Sequence, residues 1–302
     1  MLYILFSILA NVGIFICFKM FTRFRINTFQ AIVINYFVCV ITGVVFIGDT
    51  QLLTKIDFSA TWVILAIALG TIFTGTFNLM AITTQKLGIT VASVASKMSL
   101  IIPVVMSIFV FNIQSKEHTA LNYFGILLAM GAIVLSSIKK RRADNNANAL
   151  SSNIMIFLLP FGVFVLGGII DTSINFINYK YITYEQEAIF PIITFFSAFL
   201  VGALTLAIKR KKIDLQSAIG GTVLGAINYF SFYFLVKGLT SFNNDGALVY
   251  PMLSIGIILF STFFSILLFK EKLLRVNKIG LLLAILSVTL IFYQEIMEYY
   301  TH

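Results

Sequence analysis

The chain has 302 residues, 59% of them apolar and only 11% charged, and its mean hydropathy is +0.99. Soluble domains carry roughly a quarter charged residues, so composition excludes a soluble enzyme with a small anchor, a secreted disulfide scaffold and a disordered chain. The net charge of +9 sits in short basic blocks between apolar runs, a pattern of membrane orientation rather than of a nucleic-acid partner.

Apolar runs fall at about 2–18, 29–47, 60–82, 89–112 and 120–138, then at about 153–176, 187–208, 217–236, 246–268 and 277–294. Each is long enough to cross ~30 Å of hydrocarbon as a helix. The expected fold is an all-α polytopic membrane protein of ten transmembrane helices, with short connections making neighbours antiparallel. The longest polar stretch runs from Lys139 to Ser152. It separates a first five-helix unit (1–142) from a second (153–302), with 143–152 as linker. The N-terminus lacks a basic n-region and a small-x-small cleavage site, so it reads as the first span. Cys17 and Cys39 lie inside apolar runs and read as core packing, with no disulfide or zinc spacing.

The connections carry the orientation signal. Odd-numbered ones hold Lys19, Arg23 and Arg25, then Lys86, then Lys139 through Arg142, then Lys209 through Lys212, then Lys270, Lys272, Arg275 and Lys278. Even-numbered ones hold only Lys55, Lys116, Lys180 and Lys237. Sixteen against four puts the odd connections in the cytoplasm and both termini outside. The acidic residues after the last span, Glu295 and Glu298, do not oppose this. The expected location is the cytoplasmic (inner) membrane.

Offsetting the chain by 155 residues superposes Gly13 on Gly168, Gly70 on Gly225, Ile72 on Ile227 and Phe77 on Phe232. The run from Gly125 to Ala129 then falls on Gly280 to Ala284. One constant offset across three helix pairs marks an internal repeat. Five spans is an odd number, so the second half enters the membrane from the opposite side. The result is an inverted-topology repeat, with a substrate site expected between the halves near the midplane.

The segment from Phe269 to Val288 carries an acidic residue after an apolar helix (Glu271), an amide six residues on (Asn277) and a glycine nine residues on (Gly280). It resembles the helix 9–10 junction of the drug/metabolite transporter (DMT) superfamily, EamA type. Where that family usually has glycine, this chain has Lys270 and Ser287. The first half carries a degraded copy: Pro103 at the proline of helix 4, Gly125 at the glycine, and Lys116 at the acidic position with Glu117 after it. The resemblance implies a carrier of small metabolites, often an exporter of amino acids. Family members are usually described with cytoplasmic termini, opposite to the charge asymmetry here.

No P-loop motif is present, and the histidines, His118 and His302, lie outside the apolar runs. Neither ATP-driven work nor an intramembrane metal centre has candidate residues. The expectation is no enzyme, no cofactor and no metal. Lys97 is the sharpest candidate. It lies roughly 13 Å into span 4 at 1.5 Å per residue, where an ionised side chain costs about 2.5–3.5 kcal/mol. It reads as a cation facing a cavity; a structural ion pair or snorkelling is the bland alternative. Ser96 adjoins it, and Ser93 lies one turn before. Asp171 is the natural counter-charge, on one helix face with Asn175 and Asn178. Further candidates are Asn11 and Asn78, whose competing role is helix–helix glue, as for Asn35 and Asn228. Tyr229 and Tyr233 share a face of span 8, and Tyr250 begins a polar stripe with Ser254, Ser261 and Ser265 on span 9. Glu187 reads as an interfacial charge.

Together these predict a secondary active transporter of small polar metabolites such as amino acids, working as an exporter by alternating access. Its site would be built from spans 1, 3, 4, 6, 8 and 9. Expected partners are a small-molecule substrate, a coupling proton or exchanged solute, and membrane lipid, in a monomer or homodimer. The alternatives are a flippase for a lipid or lipid-linked sugar and, further off, a membrane-embedded enzyme.

Overall fold

A computed structural model describes residues 2–47, 56–102, 119–138, 149–181, 186, 189–210, 213–241, 246–294 and 297. Among the described residues ten helices follow one another: α1 (Leu2–Arg23), α2 (Thr28–Ile47), α3 (Thr61–Leu87), α4 (Ile89–Met98), α5 (Ala120–Ser137), α6 (Ala149–Tyr181), α7 (Ile189–Ile208), α8 (Leu215–Ser241), α9 (Gly246–Phe269) and α10 (Arg275–Ile291). Among the described residues there is no strand. Helices α1, α2, α3, α6, α7, α8 and α9 contain seven segments long and apolar enough to cross a membrane. The chain is a polytopic helical membrane protein.

Two boundaries depart from the hydropathy reading. Helix α6 begins at Ala149, inside the stretch taken as linker, because Ala149 and Leu150 favour helix and no Gly or Pro intervenes. Helix α4 stops after Met98, and the backbone tightens so that Ile102 N–H donates to Ser99 O at 3.0 Å. The rest of span 4, with Pro103, lies outside the described residues, as do Lys116, Glu117, His118 and Glu187.

The helix ends follow from local chemistry. Helices α1, α7 and α9 are each followed within two residues by a basic residue in the left-handed region: Arg25 (φ 54°), Arg210 (φ 47°) and Lys270 (φ 51°). A cation there favours the negative end of the helix dipole. At Lys270 the same conformation explains why glycine suits this position in the resembled pattern. The N-termini of α2 and α8 are capped by Asn27 and Asp214. Asn27 Oδ1 accepts Gln30 N–H at 3.2 Å and Asp214 Oδ1 accepts Ser217 N–H at 2.7 Å.

The Asp214 carboxyl is held below its ordinary range by the Ser217 backbone N–H and then by the Ser217 hydroxyl. A depressed folded-state pKa contributes stability above the unfolded value of about 3.9 and loses it as pH falls. Asp214→Asn, which keeps an acceptor but no charge, is therefore expected to melt below wild type at pH 6, with the gap narrowing as pH falls through the depressed folded-state value. A gap independent of pH would show that the charge contributes nothing.

Between helices, lipid removes the hydrophobic drive that operates in water, so close packing and buried hydrogen bonds must hold the bundle. Helix α8 packs on α1 and α2, and α3 packs on α6 and α7. Gly225 and Gly70 sit at the second contact of each set. A Cβ on Gly225 would lie 2.7 Å from Asn35 O, and one on Gly70 would collide with Thr194 O. Helices α5 and α10 form an antiparallel pair in which Asn122 Nδ2 donates to Ile291 O at 2.7 Å. At its other end Asn277 Nδ2 lies 2.9 Å from Ser136 O and 2.7 Å from Ile138 O. Helix α9 packs behind α4 through buried hydroxyl pairs, Thr90–Ser265 at 2.9 Å and Ser93–Ser261 at 2.6 Å.

Candidate substrate cavity

A cavity of about 220 Å³ lies between α1, α3, α4, α6, α7 and α8. Its walls are mostly rings and aliphatic side chains, including Phe15, Phe73, Phe77, Phe190, Phe195 and Phe232. Tyr36, fully buried behind them, stacks on Phe195 with centroids 6.0 Å apart and donates its hydroxyl to Phe73 O at 3.0 Å. The cavity occupies the half of the bundle toward the α2–α3, α6–α7 and α8–α9 connections. Phe190 and Pro191 belong to the first turn of α7, while Ile174 and Leu235 lie toward the C-terminal ends of α6 and α8. Toward the other end the space closes on a core that includes Phe18, Phe21, Met80, Ala81, Ile89 and Leu224.

Into this apolar space project two opposite charges. Lys97 sits in the last turn of α4, where the unbonded carbonyls of the helix end partly compensate a cation. Asp171 comes from α6. Both line the cavity and keep intermediate exposure. They interact electrostatically across it without forming a contact ion pair. Ser99, where α4 has just ended, lies with its hydroxyl 2.9 Å from Asp171 Oδ2 and 2.6 Å from Ser96 O. That hydroxyl has one proton and two acceptors within reach. Donated to Asp171, it stabilises the carboxylate; donated to Ser96 O, it leaves its lone pairs for a proton carried by Asp171. Asn11, Thr76, Thr194, Asn228 and Ser231 complete the polar lining. A donor and an acceptor of full charge in a ring-walled pocket suit a small solute with both charges, or one charged group and an apolar body.

The structure brings Lys97, Ser96, Asp171 and Asn11 together as the sequence suggests. The side chain of Asn175 lies outside the described residues. Asn78 is half-buried on α3 without lining the cavity. Tyr229 and Tyr233 both pack against Phe46 of α2, with centroids 5.6 Å apart in each case, and neither lines the cavity. Tyr250 is close enough to Asp171 to sense its charge but does not line the cavity. Helix α9 accordingly supplies no described lining residue, and α7 takes its place, because α9 is held behind α4 by the hydroxyl pairs. Asn228, read as helix glue, does both jobs: its Nδ2 donates to Asn35 Oδ1 at 3.1 Å while the residue lines the cavity. Ser99 carried no signal in sequence, since a serine in an apolar run usually bonds its own helix. Among the described residues no group of three or more His, Cys, Asp or Glu could hold a metal ion.

No family model matches the chain. It is 26% identical over 305 residues to an uncharacterised protein of Haemophilus influenzae, an alignment covering 97% of this chain and 98% of that protein. A protein of known crystal structure shares the fold, with a TM-score of 0.55 and 12% identity, covering 94% of this chain and 95% of that one.

Proposed function

We propose that the chain is a secondary active transporter that exports small polar metabolites, such as amino acids, across the cytoplasmic membrane by alternating access. The observation that carries this reading is a cavity in one half of the bundle, holding two opposite charges that do not close on each other. A purely structural pair is expected to make contact, because each ion loses hydration on burial and regains it only through a partner. Substrate, a coupling proton or an exchanged solute would complete the charge balance of Lys97 and Asp171.

The inverted-repeat plan of the DMT superfamily, EamA type, belongs to the same proposal. Its support is reciprocity at the 155-residue offset. A Cβ on Gly125 would meet Ile291 N at 3.0 Å, and one on Gly280 would meet Ser136 N at 2.6 Å. Asn122 reaches the end of α10 as Asn277 reaches the end of α5. Under the offset each of these contacts maps onto the other with the halves exchanged. The basic connections put the closed end of the bundle in the cytoplasm and the cavity on the outer side.

The test is solute counterflow into proteoliposomes loaded in turn with pools of amino acids, nucleosides and sugars. Saturable exchange is expected for one polar class. The same solute at a hundred times its Kd is expected to stabilise the purified protein by about 2.7 kcal/mol. Stabilisation by lipid or a lipid-linked sugar alone, with no flux of any pool, would overturn the proposal in favour of a flippase.

A further inference from the structure

On the closed side of the cavity, Glu271 from the α9–α10 junction reaches across to α4. Its Oε1 accepts the Ile89 backbone N–H at 3.0 Å and lies 3.4 Å from Lys19 Nζ of α1. Lys19 also donates to Thr84 O of α3 at 3.4 Å. Gly88, which joins α3 to α4, has φ +104°, and a Cβ there would lie 2.8 Å from both carboxylate oxygens. Only glycine tolerates both that backbone conformation and that approach. One carboxylate thus ties three parts of the fold: the end of α1, the α3–α4 corner and the α9–α10 junction. The hydroxyl pairs Thr90–Ser265 and Ser93–Ser261 continue the seam between α4 and α9 toward the cavity.

Helix α4 is a rod of ten residues, about 15 Å long at 1.5 Å per residue. Glu271 grips its N-terminus and Lys97 occupies its last turn. We infer that the Glu271 clamp on Lys19 and the α4 N-terminus is the cytoplasmic gate of the transporter, and that α4 couples the gate to the charge in the cavity. The inference rests on the transporter reading. Glu271 and Lys19 keep 15% and 25% of their side-chain surface exposed, so both rehydrate when they part. That makes the contact weak enough to cycle. The carboxylate is also favoured by the positive end of the α4 dipole, so the clamp is directional: a lysine at position 271 cannot replace it.

The gate can be read without knowing the substrate. In a Cys17→Ala/Cys39→Ala background, Met80→Cys places one thiol at the cavity floor. A membrane-impermeant maleimide then probes it from each face of oriented vesicles. Glu271→Gln is expected to raise labelling from the cytoplasmic face at least tenfold, and Lys19→Met by less. The exchange Lys19→Glu/Glu271→Lys is expected to label like Glu271→Gln rather than like the background. A second arm joins Lys19→Cys to Glu271→Cys with a short reducible cross-linker. Cytoplasmic labelling of Met80→Cys is expected to vanish on cross-linking and return on reduction, and Lys19→Met, which keeps Glu271 on the Ile89 N–H, reads the gate even if the Glu271 substitutions fail to fold. Labelling from the cytoplasmic face unchanged by both arms overturns the gate. Labelling that responds as expected in a protein that moves no solute leaves the gate standing and removes the transporter reading instead.

Discussion

Lys97→Met and Asp171→Asn are each expected to lower solute exchange at least tenfold, and the double variant Lys97→Met/Asp171→Asn is expected to regain stability without regaining exchange. The argument begins with the cost of the charges. An ion at this depth costs about 2.5–3.5 kcal/mol to insert. Removing one member of an interacting pair leaves the other uncompensated, which is more damaging than removing both. Each single variant should therefore melt below the double variant. If the charges are there for the fold, a neutral Met–Asn combination repairs the defect, and exchange returns with stability. If they bind the solute, the neutral cavity is stable and inactive. A hydrogen bond to a charged group contributes about 1.5–3 kcal/mol, equivalent to roughly 10–150-fold in affinity. The measurement is counterflow per folded molecule alongside thermal melts of all four proteins. Exchange restored in the double variant would reduce Lys97 and Asp171 to a structural pair.

Ser99 refines this expectation. Ser99→Ala removes the hydroxyl 2.9 Å from Asp171 Oδ2 but leaves both charges in place. Its effect on exchange should be smaller than that of Asp171→Asn, because Asp171 still faces Lys97 across the cavity.

The helices were legible because each apolar run is long and bounded by polar residues, and composition alone demanded a membrane. The two charges were legible for a related reason: an ion in a span is too costly to be accidental. What could not be read was which way each helix faces. In water a helix has a polar face and an apolar one, so sequence reports orientation. In lipid both faces are apolar. Phe37 is 44% exposed on the surface of α2 while Phe18 is fully buried on α1, yet the two are the same residue in similar surroundings of sequence. Tyr229 and Tyr233 share a face of α8, and their rings pack on Phe46. In the polar stripe of α9, Ser261 and Ser265 are spent on hydroxyls of α4. Nothing in sequence marks the place of α7 in the cavity: of its hydroxyl residues Thr194, Ser197 and Thr205, Thr194 lines the space, while Ser197 donates to Ile67 O of α3 and Thr205 to Val201 O of its own helix.

Asn277→Ala is expected to lower the stability of the bundle by about 2–3 kcal/mol while leaving solute binding per folded molecule unchanged. Asn277 does two things at once. Its Oδ1 accepts Leu274 N–H at 2.9 Å, capping α10, and its Nδ2 lies within 3.1 Å of three carbonyl oxygens, those of Leu135, Ser136 and Ile138, at the end of α5. A lost cap costs about 1 kcal/mol. Interhelical hydrogen bonds in membranes average only about 0.6 kcal/mol and reach about 1.7, and this amide serves carbonyls that have no partner within their own helix. The loss should therefore lie near the upper end. Asn122 occupies the matching position at the other end of the pair, accepting Thr119 N–H at 2.8 Å and donating to Ile291 O at 2.7 Å. Asn122→Ala should cost about the same. The two sites are separated by most of the length of α5, ~24 Å at 1.5 Å per residue, so their effects should add to within about 0.5 kcal/mol. Neither α5 nor α10 contributes a described residue to the cavity, which is why binding should survive. Denaturation of the detergent-purified variants measures the first quantity, and ligand titration on the folded fraction measures the second. If binding weakens as well, the α5–α10 pair is a moving part of the transport cycle, and the steady element of the fold must be sought among the helices that α3 and α8 hold together.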